Sequence, residues 1–206
     1  MAPESTAAQR AYAQIKARIL KGDLPVRARL DMEDLARDLG VSSMPVRIAL
    51  SLLAWERLVR PGQHTAYEVA LWTTAELAEL YEWRGALLSI AVATNRQGAE
   101  LKRLVRTQPY AQAVMNAMRL IEEGAGADLR RASLNADERL HLARMSEAEV
   151  LGDVQEEFET LAAAIAEKSR RTATLIKSYH RRRARVAAQL RDRAALRALP
   201  SNGGPR

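Results

Sequence analysis

The 206-residue chain has no cysteine, which removes disulfides, thiolate metal sites and cysteine nucleophiles from consideration. It has no run of about eighteen apolar residues, so no membrane partner is expected. Its first residues, MAPESTAAQR, lack the basic-then-apolar order of a secretory leader, and the expected location is cytoplasmic. HExxH, GxSxG and a phosphate-cradling glycine loop are also missing. The chain is therefore expected not to be an enzyme, the competing class being a metal-dependent hydrolase built on Asp137 and His141.

What is present begins with a 48% hydrophobic composition, enough for two small cores, and a formal net charge of +7. That balance suits a polyanionic partner, but its distribution is uneven. Residues 1–75, 76–166 and 167–206 carry net charges of +2, −5 and +10, so the positive excess is C-terminal.

Hydrophobic periodicity and caps divide the chain. Tyr12, Ile15, Ile19 and Leu20 recur at helical spacing until Gly22 and Pro25, giving a helix over about 8–21. Asp31 caps a short second helix carrying Leu35, Ala36 and Leu39, which Gly40 stops. Ser42 or Ser43 caps a third, with Pro45 in its first turn and Val46, Ala49, Leu50 and Leu53 inward. Leu58-Val59-Arg60, the turn Pro61-Gly62, and Thr65, Tyr67 and Val69 read as a β-hairpin. Helix, helix, helix, hairpin is the order of a winged helix-turn-helix.

From the capping box Thr73-x-x-Glu76 onward everything reads as helical. Pro109 and Gly124-Ala125-Gly126 are breaks, Ser146-x-x-Glu149 opens a long amphipathic helix, and a last helix runs from Thr172 to Leu199. The expected fold class is mainly α: a winged helix-turn-helix domain at 1–71, an all-helical bundle at 72–199 for effector binding and dimerisation, and a disordered tail at 200–206.

The segment LDMEDLARDLGVSSMPVRIALSLLAWERLV carries a resemblance. Leu30, Leu35-Ala36, Leu39-Gly40-Val41-Ser42, Pro45-Val46-Arg47, Ala49-Leu50, Leu53 and Leu58-Val59 resemble the signature of the GntR regulators. The following TAELAELYEWRGALLSIAVA resembles the start of the FCD effector domain of their FadR-type branch. The resemblance implies a homodimeric transcriptional regulator, a repressor, bound to a short palindromic operator in double-stranded DNA. It makes Arg47 an operator contact, a guanidinium suited to guanine or phosphate, although an exposed helix arginine is also an ordinary surface residue. Ser42, Ser43 and Met44 sit at the N-terminal turn of the same helix, where free N–H groups favour phosphate. Arg60, Gln63, His64 and Thr65 form a polar wing tip able to reach a minor groove or phosphate. Ser43 and His64 depart from the family, which usually has arginine and glycine there.

In the second domain Asp137 and His141 are four residues apart, a spacing that lets a carboxylate and an imidazole meet one ion. The resemblance implies a divalent metal, zinc, nickel or manganese, with His180 as a third ligand; its fourth ligand is missing, since the chain there reads LPSNGGPR. A structural hydrogen bond between Asp137 and His141 is the plainer reading. Arg84 is the expected partner of a small carboxylate effector. The run Arg181-Arg182-Arg183 with Arg185 reads as a solvated face or as a partner for the acidic middle segment. The alternative to an effector-controlled repressor is a DNA-binding dimer whose second domain has lost sensing and serves dimerisation or a protein partner.

Overall fold

A computed structural model describes residues 5–62, 66–94 and 98–197. The described residues divide into two compact units, those up to 71 together with 194–197, and those within 72–193. Among the described residues no helix is long and apolar enough to cross a membrane.

The first unit opens with α1 (Ala7–Lys21), started by a capping box between Thr6 and Gln9 and stopped by Gly22 at φ 84°. Strand β1 (Arg29–Leu30) leads to α2 (Met32–Leu39) and α3 (Ser43–Trp55). Asp31 accepts hydrogen bonds from the N–H groups of Glu33 and Asp34, fixing the start of α2. Strands β2 (Val59–Pro61) and β3 (Tyr67–Val69) complete a three-stranded antiparallel sheet in the order β1-β3-β2. Its register pairs Leu30 with Tyr67, and Val59 with Val69. Ile15 and Ile19 of α1 and Val46, Ala49, Leu50 and Leu53 of α3 are buried almost completely and make the core. Tyr12 and Lys16 hydrogen-bond to Glu56, 2.5 and 2.9 Å away, pinning α1 to the end of α3.

The second unit begins with α4 (Thr74–Ala91), opened by the Thr73–Glu76 capping box, and a 3₁₀ turn at Val92–Thr94. Then follow α5 (Gly98–Thr107), α6 (Tyr110–Glu122), α7 (Ala127–Arg144), α8 (Glu147–Leu151), α9 (Val154–Ala166), α10 (Thr172–Arg185) and α11 (Ala187–Arg197), whose residues from 194 onward count with the first unit. Leu88, Leu101, Val114, Met118, Phe158 and Leu161 belong to one apolar core. Helices α4 and α10 cross so closely at Gly85 that a Cβ there would stand 3.0 Å from the His180 Cγ. A side chain there would press on the imidazole, which would have to give by a few tenths of an ångström.

The observed class is the expected one, a winged helix-turn-helix followed by helices, but two expected helices are each split. Ser146 does not cap; its backbone is helical, its hydroxyl makes no cap bond, and α8 ends after five residues at Gly152, φ 80°. The amphipathic run therefore belongs to α9 alone. The final helix bends at Val186, separating α10 from α11.

Candidate nucleic-acid interface and buried polar centre

The helix-turn-helix is built by a glycine. At the end of α2, Gly40 adopts φ 63°, and its N–H donates back to the carbonyls of Ala36 and Arg37. The Val41 N–H donates to the Ala36 carbonyl, closing the turn before α3 begins. Ser42 is the N-cap residue of α3, with extended backbone, but its hydroxyl takes no cap bond. Side-chain capping, expected at Ser42 or Ser43, is thus not what starts this helix, and its first N–H groups keep their outward polarity. Ser42, Ser43, Met44 and Arg47 are all exposed at that end, opposite the buried stripe.

The wing residues are divided. Arg60 lies on β2, and its Nε donates to the Glu68 carboxylate on β3, so it stands in the sheet as half of an ion pair across the strands. Gln63, His64 and Thr65 lie outside the described residues.

In the second unit the structure brings Arg84 and Asp137 together, which the sequence had assigned to separate tasks. Arg84 Nε and Nη2 donate to the two Asp137 oxygens at 2.9 and 3.0 Å, and Nη2 lies 2.7 Å from Glu122. Arg144 Nη2 reaches the same Asp137 carboxylate at 3.0 Å. All of these groups are buried. Burial opposes the ionisation of Asp137, but Arg84 and Arg144 outweigh it and hold its pKa below the usual carboxylate value. Burial pushes the Glu122 pKa up, against the pull of Arg84.

His180 is also buried. Its Nδ1 lies 2.8 Å from the Ile176 carbonyl, an acceptor only, so that nitrogen carries the proton. Burial lowers its pKa to about 3, and the ring stays neutral. His141 is half-buried on α7. Among the described residues no three His, Asp or Glu side chains gather so as to hold a metal ion. The proposed triad Asp137, His141 and His180 does not fit a divalent cation, because two guanidinium groups already occupy the Asp137 carboxylate. Arg84, expected to meet an effector carboxylate, is buried and spends Nε and Nη2 on the internal carboxylates of Asp137 and Glu122.

A second cluster, which the sequence did not suggest, centres on Glu147. This carboxylate accepts from Tyr81 at 2.7 Å, from Tyr110, and from Arg183 Nε at 2.7 Å. Arg183 also donates to Glu157 and to the Tyr179 carbonyl, and its guanidinium lies 3.3 Å from the centre of the Tyr179 ring. Burial pushes the Tyr179 hydroxyl up to about 12. Arg182 pairs with Asp153 and Glu157. The arginine run is therefore partly internal, with Arg183 buried while Arg181 and Arg185 are exposed. Arg84 Nη1, Arg144 Nε and Nη1, and the Ser146 hydroxyl are buried with no hydrogen-bond partner among the described residues.

The sequence model of the family described as "Bacterial regulatory proteins, gntR family" matches residues 7–69, the span of α1 through the wing. Residues 7–69 are a gntR-family domain. The HTH-type transcriptional regulator YdhC of Bacillus subtilis, itself described as uncharacterized, is 30% identical over 81 residues. That stretch is 39% of this chain and 36% of YdhC, so the chain matches about a third of that relative's length. Two solved structures share the fold more widely. Escherichia coli McbR/YncC has a TM-score of 0.67 at 20% identity, covering 90% of this chain and 98% of that one. A putative GntR transcriptional regulator from Rhodococcus sp. RHA1 has a TM-score of 0.64 at 21% identity, with the same coverage. The gntR-family match makes the helix-turn-helix of residues 7–69 a DNA-binding element of the kind found in bacterial regulatory proteins.

Proposed function

We propose that the protein is a sequence-specific transcriptional repressor that binds a short palindromic operator as a homodimer. The observation that carries this reading is the turn at Gly40, which presents the exposed, uncapped start of α3 with Arg47 one turn further on. Two-fold binding is supported by Trp83 and Ile90, large apolar side chains left exposed seven residues apart on α4. The second domain is assigned the FCD type, on the TAELAELYEWRGALLSIAVA segment that forms α4.

Within that domain the reading best supported is response to a small carboxylate without a metal. The unpartnered donors of Arg144 and Ser146 are of the kind that bind an anion. A second reading, a domain that has lost sensing, is favoured by the way Asp137 and Glu122 engage Nε and Nη2 of Arg84 internally. A thermal-shift screen of small carboxylates separates them: stabilisation that Arg144→Met abolishes supports sensing, and none supports the second reading.

The DNA reading is tested by Arg47→Ala. Arg47 is exposed, so the variant should keep its helical circular dichroism while losing retention of its own promoter fragment at fixed salt. Unchanged retention overturns the assignment of α3 as the reading helix.

A further inference from the structure

The outer face of α3 is apolar. Met44, Ile48, Leu52 and Trp55 are exposed to 60, 43, 47 and 88%, and their positions fall within about 80° of one another around the helix. They lie away from the buried stripe of Val46, Ala49, Leu50 and Leu53, which already fills the core. Arg47 is the only charged residue of the helix and stands between Met44 and Ile48 in sequence. Single exposed apolar residues are ordinary, but four in one strip on the second helix of a helix-turn-helix are not scattered.

We propose that Met44 and Ile48 read thymine 5-methyl groups in the major groove on either side of the contact made by Arg47. The inference rests on α3 being the groove-reading helix. The thymine methyl is the apolar feature that a base pair offers in that groove. Opposite any other edge, a methionine or isoleucine would cover hydrogen-bonding groups without replacing their water. Met44 and Ile48 are four residues apart, about 6 Å along the helix axis. With base pairs about 3.4 Å apart, that spans about two steps. Leu52 and Trp55 stand about 12 and 16 Å from Met44 along the axis and fall outside the pair of contacts. The half-site is thus thymine-bearing beside its Arg47 contact, and methyl contact supplies discrimination that a face with one charge does not supply by charge.

The test uses the full-length protein. A randomised duplex library is selected for binding, and the recovered site is then made with deoxyuridine replacing each thymine in turn, which removes one methyl and no hydrogen-bonding group. At fixed salt, fluorescence anisotropy should show a loss of about fourfold at each contacted thymine, the value of one buried methyl-sized group. Ile48→Ala and Met44→Ala, both at exposed positions, should each bind thymine and deoxyuridine equally at one of those places. Wild-type affinity unchanged by every replacement overturns the proposal while leaving sequence-specific binding standing, and it points to a protein partner on the strip. Equal losses in wild type and both variants also overturn it, since they trace to duplex shape. A library that yields no enriched sequence removes the underlying DNA reading as well.

Discussion

Removing the Asp137 carboxylate should be among the most damaging single changes in the second unit. In Asp137→Ala, Arg84 loses two hydrogen bonds and Arg144 loses the one its Nη2 makes, while both guanidinium groups stay buried. Breaking a buried pair by deleting one partner costs about 3–5 kcal/mol, because the surviving charge has no water to turn to. Glu122 remains beside Arg84 and the charge of Glu147 still acts on Arg144, which argues for the lower part of that range. For a domain of this size each kcal/mol moves the midpoint by about 3–5 °C, so a fall of about 10–20 °C is expected. The assay is thermal unfolding followed by far-ultraviolet circular dichroism, on chelator-treated protein. Adding Arg84→Met to Asp137→Ala should recover part of the loss, since replacing a pair by apolar groups costs less than orphaning one member. A single variant within about 1 kcal/mol of wild type refutes the reasoning. So does zinc, nickel or manganese stabilising the wild type but not Asp137→Ala, because the carboxylate would then be free to hold metal.

His180 supplies a pH signature. Its folded pKa of about 3 lies below the unfolded 6.5, so its contribution is complete above pH 6.5 and is lost as pH falls from there toward 3. Between pH 7 and 5, wild type should lose about 2 kcal/mol more stability than His180→Gln, and parallel pH profiles would contradict a buried neutral ring. Trp83→Glu, which places a charge on the exposed α4 face, should convert the protein to a monomer in sedimentation velocity; an unaltered dimer moves the self-association surface elsewhere.

The first unit was legible because its signals are local. Asp31, Gly40 and Pro45 announce the boundaries of α2 and α3 within a few residues of where they act, and the Thr73–Glu76 box does the same for α4. Ser146 and Glu149 offered the same local pattern and it failed. Glu147 beside them is drawn inward by Arg183 and two tyrosines remote in sequence, and that tertiary demand sets the conformation of the segment. Arg84 and Asp137 are 53 positions apart, so nothing in their spacing announces the pair. Arg183 was hidden in a run of like residues, of which it is the one fully buried. A helical wheel of α10 could have found it, since it follows Ile176, Tyr179 and His180 on the inward face.

The ionic centre also shapes how the second unit responds to temperature. Each buried guanidinium and carboxylate there takes space that aliphatic side chains would otherwise fill, and unfolding hydrates those groups in place of apolar surface. Apolar exposure raises heat capacity and polar exposure lowers it, so the unfolding increment per residue should fall below the common value of about 12–15 cal/mol/K. A smaller increment flattens the stability curve, and the cost of dehydrating ions shrinks as water warms. Such a bundle should lose less of its stability to cold than an all-hydrocarbon bundle of equal length.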